Sequence, residues 1–357
     1  MACSLASLQR RSLWTPIAAF AIALLTLTGC QPDPPPVADD TLNAISVFPE
    51  GTQSLSMVNL QHLKDEAGIS FFGERGIRLT LLDSDVVFDP LTREQRNDLN
   101  AFIEASGFNP DTDLHAAYVG AAPVGNEGML QAPLLVLRAD FTRERLASSL
   151  REAGDLIVPL DEVHDIPMFA FAPRNGEDSA SDRHLALLDS HRIAVGDARD
   201  IEALLERIEG DAPGFVPSID DRELIGYASQ SGSAWSVLLT LPEEMDNALE
   251  TVQEQNSAQE WQRRLARVAT VTRQAGMGVT LGEETVQSRI TLVADDNARD
   301  VRRLLQGVAS GAQSYEGLSA DQRAILEDIA INDQGRFVHI DISTTQRALA
   351  EMMLSSR

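Results

Sequence analysis

Cysteine and lysine are scarce in this 357-residue chain, and each scarcity excludes a class of protein. Only two cysteines occur, Cys3 and Cys30, and both lie within the first thirty residues, so the body that follows has no thiol for a disulfide or for catalysis. Lys64 is the single lysine and lies in no GxxxxGK[ST] segment, which excludes a P-loop nucleotide site. The body must therefore fold on its hydrophobic core alone, and a composition of 43% hydrophobic residues is ample for that.

Basic residues are also few compared with acidic residues. The chain carries 54 acidic against 29 basic residues, a formal net charge of -25. Such a surface repels phosphate backbones and anionic lipid headgroups, so we expect no nucleic-acid binding and no electrostatic membrane docking. The acidic residues are spread along the chain, which is typical of a protein from a salt-rich habitat, and a basic partner is the alternative.

Motifs for nucleophilic catalysis and nucleotide binding are missing. No G-x-S-x-G elbow occurs, and the serines of SQSGSAW, residues 229–235, are expected in a polar turn before a strand. The glycines of GMGVTLG, residues 276–282, precede a strand, whereas a dinucleotide fingerprint follows a strand and opens a helix. We therefore predict no catalytic residue and no cofactor.

Metal-binding motifs are equally weak. The six histidines show no HExxH or other close ligand spacing. The segment NPDTDLH, residues 109–115, begins like a calcium loop but has Leu114 at the sixth place and Gly120 at the twelfth. We interpret it as a turn before a strand, with weak cation binding as the alternative. No metal site is predicted.

One pair of side chains could carry acid–base chemistry. His339 and Asp341 project from the same side of the strand RFVHIDI, residues 336–342, because alternate residues of a strand share a face. A histidine with a carboxylate partner can act as a general base. The competing interpretation, which we prefer, is that the two residues form the solvated face of a half-buried strand.

The N-terminus has the organisation of an export signal. Arg10 and Arg11 precede an apolar stretch at residues 14–27, which is shorter than the roughly 20 apolar residues needed to span a bilayer. The tetrapeptide Leu27-Thr28-Gly29-Cys30 then resembles the lipobox of bacterial lipoproteins. The resemblance implies that residues 1–29 are removed as a signal peptide and that Cys30 is acylated.

The same resemblance predicts where the protein is found. Acylated Cys30 would anchor the chain in the lipid bilayer, and Gln31 after the cysteine implies sorting to the periplasmic face of the outer membrane. An ordinary cleaved signal peptide and an uncleaved anchor are the alternatives. Residues 30–45, rich in proline and aspartate, are predicted to form a disordered tether.

Strand–helix units recur along the body. The segment ARDIEALLERI, residues 198–208, is repeated as ARDVRRLLQGV, residues 298–308, with one apolar stripe in each copy and a strand before each. A second pair, residues 134–150 and 235–252, lies nearly the same distance apart. We predict an internal duplication, with one half at residues 46–213 and the other at 214–357, divided in the Gly- and Pro-rich segment 210–221.

The strands between these helices mostly alternate between apolar and polar residues, as in VQSRITL, residues 286–292. Alternation is typical of antiparallel sheet with one buried face. Turn signals predict hairpins at Gly282-Glu283-Glu284, His164-Asp165 and Ser190-His191. The predicted fold class is therefore α+β, with amphipathic helices packed on mainly antiparallel sheet in two similar halves.

Helix starts are indicated by acidic residues and by capping-box spacing. Asp197 and Asp296 stand where a helix N-terminus favours an oxygen cap. Capping-box spacing occurs at Thr92 with Gln95, at Ser319 with Gln322, and at Ser343 with Gln346.

Together these features favour a membrane-anchored periplasmic lipoprotein with a non-enzymatic binding or assembly role, for which another envelope protein is the candidate partner. Two alternatives remain: a carrier for a small molecule or lipid, and a hydrolase whose active residues are brought together only by the fold. A carrier requires an apolar pocket of several hundred cubic ångströms. A hydrolase requires converging polar groups in a cleft.

Overall fold

The computed structural model describes residues 33–67, 70–73, 76–81, 84–88, 103–124, 129–130, 134–152, 157–171, 183–240, 260–282, 284–313 and 320–346. Cys30 and the predicted helix start at Thr92 lie outside these residues.

The helices of the described residues are α1 Asp39–Ile45, α2 Leu60–Ala67, α3 Pro110–Asp113, α4 Arg143–Glu152, α5 Ala198–Glu209, α6 Ile219–Ser229, α7 Glu260–Val271, α8 Ala298–Gln313 and α9 Ala320–Glu327. The strands are β1 Ser54–Asn59, β2 Ser70–Gly73, β3 Gly76–Leu81, β4 Ser84–Phe88, β5 Leu114–Ala121, β6 Pro123–Val124, β7 Met129–Leu130, β8 Leu134–Ala139, β9 Ile157–Pro159, β10 Met168–Phe171, β11 Arg183–Leu187, β12 Arg192–Asp197, β13 Ala234–Leu238, β14 Gln274–Leu281, β15 Thr285–Val293, β16 Ala330–Gln334 and β17 Phe337–Thr345.

A single 12-stranded antiparallel sheet organises the body, in the order β16-β17-β15-β14-β13-β1-β5-β8-β12-β11-β10-β9. Strands β2, β3 and β4 form a separate three-stranded sheet, and β6 pairs with β7. The observed class is the predicted one, α+β with helices packed on antiparallel sheet. The predicted halves share one sheet, joined where β1 pairs with β13.

One face of the sheet is covered by α1, α5 and α6. Directly opposed residues of neighbouring strands point to the same face, so the row Val136–Tyr118–Met57–Trp235 belongs to it. Ile201, Leu204 and Leu205 of α5 pack on this face and are fully or almost fully buried. The predicted apolar stripe of α5 is thus confirmed.

The opposite face is covered at both ends. Helix α4 packs Leu146 and Leu150 at one end, and helices α7 and α8 pack Val268 and Val301 at the other. The prediction of a single buried face was therefore wrong. Alternation in β15 is real, but Thr291, expected on the solvated side, is 1% exposed because α6 covers it.

The predicted hairpins are confirmed. Strands β14 and β15 pair antiparallel, and the Gly282 N–H donates to the Thr285 carbonyl at 2.9 Å, while Glu283 lies outside the described residues. Strand β11 pairs with β12 on either side of the predicted turn. At the third turn, His164 and Asp165 both have positive φ, 53° and 58°, and lie between the bridged residues Val163 and Ile166. Two central residues with positive φ match the right-handed twist of the flanking strands.

The predicted duplication is not confirmed. In the first half, β8 neighbours β12, the strand that leads into α5. In the second half, β13 neighbours β14, and β15, the strand that leads into α8, lies one position further out. Similar strand–helix sequences are thus placed in a different strand order. The helix predicted within residues 243–252 lies outside the described residues.

The folded body begins earlier than predicted. Residues 39–45, assigned to the disordered tether, form α1, and Thr41, Ala44 and Ile45 are buried on one side of it. Val37 packs against the same core. The tether prediction was wrong over this part because it used composition alone, whereas Ala44 and Ile45 follow Thr41 by three and four positions and so share one buried side of the helix with it.

The predicted boundary segment 210–221 is packed against the start of the body. Gly210 ends α5 in the left-handed conformation at φ 86°, and the Phe215 N–H donates to the Phe48 carbonyl at 2.7 Å. Residues Pro35–Arg357 form one compact unit. The residue bounds of the two halves remain predictions.

Helix capping follows the sequence signals only in part. Ser218 and Asp221 form a capping box at the start of α6, where each side chain accepts from the other's backbone N–H. Asp197 occupies the N-cap position of α5 but makes no side-chain capping bond. The helix start predicted at Ser343 was wrong, because β17 continues through this residue to Thr345 in pairing with β15.

Candidate functional site

The predicted lipidation site comes just before the described residues. Cys30 is outside the described residues, which start at residue 33. From Pro35 onward the chain is held against the body, because the Pro35 carbonyl oxygen lies so close to Gly226 of α6 that any side chain there would collide with it. The chain thus enters the folded body along α6.

His339 and Asp341 share a face of β17, as predicted, but they do not form a pair. The His339 Nδ1 lies 3.1 Å from the Thr291 hydroxyl on β15. The Asp341 carboxylate instead accepts from the Arg289 Nε at 2.6 Å. Among the described residues, each member of the candidate dyad thus has a different partner.

The imidazole of His339 is enclosed by aromatic rings. Tyr227 of α6 lies over it with ring centroids 4.6 Å apart, and Tyr227 also contacts Phe337 at 4.9 Å. His339 is only 6% exposed, so the expectation of a solvated face was wrong at this position. Helix α6 supplies the cover, and nothing in the strand's own sequence indicates it.

Burial also determines the protonation state of His339. Loss of solvent, followed by the nearby Arg289 guanidinium, lowers the pKa of His339 to about 4, although Asp341 opposes the shift. Burial likewise raises the pKa of Tyr227. Both rings are therefore neutral near pH 7. A neutral, enclosed imidazole with a hydroxyl partner suits packing between helix and sheet better than proton transfer to a substrate.

A cleft of about 360 Å³ opens beside this cluster. Its lining includes Tyr227, Gln230, Arg289 and Asp341. Arg289 also donates to the Gln230 side-chain oxygen at 3.2 Å, so its guanidinium is engaged on two sides. The cleft is therefore polar, and its charged groups are the Arg289–Asp341 ion pair and the Asp328 carboxylate.

A larger cleft of about 680 Å³ lies at the start of α8. Its lining is dominated by charged side chains, namely Asp295, Asp296, Arg299, Asp300, Arg303, Asp333 and Arg336. Arg336 pairs with Asp220 and Glu223 of α6, both at 2.8 Å. These ion pairs raise the pKa of Arg336 and tie the hairpin β16–β17 to α6.

The glycines of GMGVTLG have a packing role. A side chain at Gly276 would meet Leu224, and one at Gly278 would lie 2.5 Å from the Ala228 carbonyl oxygen. Their lack of a Cβ lets α6 approach β14 closely. The predicted polar turn is also confirmed, since Ser233 precedes β13 and its hydroxyl accepts from the Leu281 N–H at 2.7 Å.

The segment NPDTDLH forms a turn before a strand, as predicted. Asn109 caps the short helix α3, accepting from the Asp111 N–H at 3.0 Å, and β5 begins at Leu114. In the described part of the chain, no group of three or more His, Cys, Asp or Glu side chains is placed so that it could hold a metal ion.

A cluster of two histidines and one aspartate was missed by sequence reasoning. His115 Nε2 lies 2.9 Å from one oxygen of Asp140, and His191 Nδ1 lies 3.0 Å from the other. Hydrogen bonds from both imidazoles lower the pKa of Asp140. The residues are 25 and 51 positions apart, so no local spacing could indicate the cluster.

Comparison with known proteins yields only distant structural likeness. No family model matches the chain, and no curated protein does. Crystal forms I, III and IV of TP0453, a Treponema protein, superimpose with TM-scores of 0.43, 0.45 and 0.46 at 10%, 9% and 8% identity. Each covers 87% of this chain, and the matches cover 96%, 98% and 96% of TP0453. Likeness at this level does not define a shared function.

Among the described residues, no helix is both long enough and apolar enough to cross a bilayer.

Proposed function

We propose that the protein is a lipid-anchored envelope protein with a non-enzymatic binding or assembly role, held at the periplasmic face of the outer membrane through Cys30. The observation that carries the proposal is the lipobox Leu27-Thr28-Gly29-Cys30 directly ahead of a body that starts to pack at Pro35. A lipid anchor and a folded body so close together in the chain suit a protein that works at the membrane surface.

The connection between the predicted lipid-bearing cysteine and the folded body is short. Cys30 and Pro35 are five residues apart, and a fully extended chain spans at most about 3.3–3.6 Å per residue. The lipid-bearing residue therefore lies within about 18 Å of chain from Pro35. An anchored body would be kept close to the bilayer, where a partner in the same membrane is within reach.

The interior of the body supports a binding or assembly role over the alternatives. The His339–Asp341 pair lacks the contact that a general base and its carboxylate need, since each is bonded to another residue. Both clefts described above are lined mainly by polar and charged groups, which suit a polar surface better than a lipid tail.

The anchor is tested by replacing Cys30 with serine in cells. We expect Cys30→Ser to lose both membrane fractionation and incorporation of a labelled fatty acid. Cys3→Ser is the matched control, because Cys3 lies in the segment predicted to be removed. If Cys30→Ser remains membrane-bound and acylated like the wild type, the anchor is refuted.

The binding role is tested by crosslinking in living cells followed by mass spectrometry of what is captured. We expect the anchored wild type to capture one dominant envelope protein and the mislocalised Cys30→Ser variant to capture much less of it. Capture of no protein by the wild type would contradict an assembly role. Copurification of a stoichiometric lipid would favour the carrier instead.

A further inference from the structure

The segment that joins α5 to α6 exposes two large apolar side chains close together. Val216 is 76% exposed and Ile219 is 77% exposed, the two largest values among the exposed large apolar side chains of the described residues. Three positions separate them, and we call this pair the 216–219 tip. Apolar side chains in water are unfavourable, and exposed apolar groups that lie together mark contacts with other proteins or with membranes.

The tip is fixed to the body on both sides. Phe215 is buried, and its N–H donates to the Phe48 carbonyl at 2.7 Å. Pro217 is also buried, and its ring restricts the backbone between the two exposed side chains. The capping box of Ser218 and Asp221 then fixes the first turn of α6. The exposed side chains are therefore held outwards by a well-packed frame.

The acidic residues beside the tip are bonded to the body. Asp220 pairs with Arg336 at 2.8 Å. One oxygen of Asp221 accepts from the Ser218 N–H at 2.9 Å, and the other accepts from the Gln274 Nε2 at 2.8 Å. Because these carboxylates already have partners, they oppose contact with an apolar phase less than free carboxylates would.

Helix α6 connects the tip to the place where the chain enters the body. The Pro35 carbonyl oxygen lies against Gly226. Gly226 and Ile219 are seven positions apart, nearly two helical turns, so they lie on the same side of α6 about 10 Å from each other. Cys30 is within about 18 Å of chain from Pro35. An anchor at Cys30 therefore holds the tip within reach of the bilayer.

We propose that the 216–219 tip inserts into the lipid bilayer that holds the acylated Cys30. The inference rests on the proposed lipid anchor. The bilayer is the occupant that the chain favours, because an anchor this close to the body keeps lipid beside the tip at all times. The contact is apolar, so it is compatible with a net charge of -25 that opposes electrostatic docking. It turns the start of α6 towards the membrane.

The insertion is tested with single cysteines, because the body has no cysteine after Cys30. The acylated protein is purified in detergent and reconstituted into vesicles of phosphatidylethanolamine and phosphatidylcholine. Val158→Cys is the matched control, since Val158 is an exposed valine on the edge strand β9. In the protein alone Val216 is the more exposed of the two, at 76% against 44%. On vesicles we expect the reverse order, with Val216→Cys reacting about tenfold more slowly than Val158→Cys with a water-soluble maleimide.

A second readout identifies what covers the tip. A bimane label on Val216→Cys should be quenched by lipids with brominated acyl chains, and a label on Val158→Cys should not. Protection of Val216→Cys without quenching would show that a protein, such as a second copy of this chain, covers the tip, and the proposal would be overturned.

Flotation of the vesicles separates this proposal from the anchor itself. If the protein floats with the vesicles but Val216→Cys reacts as fast as Val158→Cys and is not quenched, the insertion is overturned and the anchor stands. If the protein does not float with the vesicles, the anchor is refuted and the insertion with it.

Discussion

The buried imidazole of His339 should make the protein less stable in mild acid. Its pKa is about 4 in the folded state, against 6.5 for an exposed histidine. Well above pH 6.5 the imidazole is neutral in both the folded and the unfolded state, so it does not make the free energy of unfolding depend on pH. As the pH falls from 6.5 towards 4, this histidine becomes protonated in the unfolded chain but stays neutral in the folded protein, so the free energy of unfolding decreases over this pH range.

The size of the effect follows from the two pKa values. Between pH 7 and pH 5, proton linkage at His339 alone should lower the free energy of unfolding by about 2 kcal/mol, rising to about 3 kcal/mol at pH 4. The range down to pH 5 is the cleaner one, because most exposed carboxylates are still ionised there.

Urea unfolding at pH 7 and pH 5 measures the effect when the wild type is compared with His339→Gln. The glutamine removes the titrating group and keeps a polar partner for Thr291, so the variant should lose about 2 kcal/mol less than the wild type on acidification. Thr291→Val is the control, since it removes the partner hydroxyl and keeps the imidazole. Equal losses in the wild type and His339→Gln would refute the burial argument.

Three further substitutions probe the packing of the helices, each by the urea midpoint of unfolding. Gly278→Ala should lower the free energy of unfolding by about 1–3 kcal/mol, because the added Cβ meets the main chain of α6. Gly311→Ala, on α8 with open space around it, should raise the free energy of unfolding slightly. An unchanged midpoint for Gly278→Ala would contradict the close approach of α6 to β14. Ser218→Ala should lower the free energy of unfolding by about 1 kcal/mol, because it removes the N-cap of α6. Ser218→Asp, which keeps a capping oxygen, should retain most of the wild-type stability. Equal midpoints for the two variants would argue against capping. Leu204→Ala on α5 should lower the free energy of unfolding by about 2–5 kcal/mol, because Leu204 is fully buried. Leu304→Ala, at the corresponding position of α8, should lower it distinctly less, because Leu304 is only partly buried. Equal losses would show that α5 and α8 pack alike.

Local signals in the sequence were enough to predict the fold class and several of its elements. The apolar stripe of α5 and the turn at His164-Asp165 each depend on residues within a few positions of one another. Their periodicity and turn chemistry are therefore visible in the sequence alone. The same reasoning correctly interpreted the segment around Asn109 as a turn.

Features that depend on distant contacts were not predictable. Helix α6 buries five successive residues, Leu224–Ala228, and so has no one-sided stripe to show which part of the sheet it covers. Its Tyr227 encloses His339, 112 positions away, and turns an expected solvated residue into a buried one. The cluster around Asp140 was missed for the same reason, because its three residues meet only through the register of β5, β8 and β12.

The central position of β1 sets a limit on how the protein can mature. This strand comes early in the body, yet one of its two neighbours is β13, and Ser56 bonds to Ser236 across 180 residues at 2.8 Å. Strand pairings at such sequence separation form slowly, because closing the long loop costs conformational entropy before any stabilising contact can form. β1 cannot pair with β13 until roughly two-thirds of the polypeptide has emerged, so until then it presents an unpaired edge to any extended chain it meets.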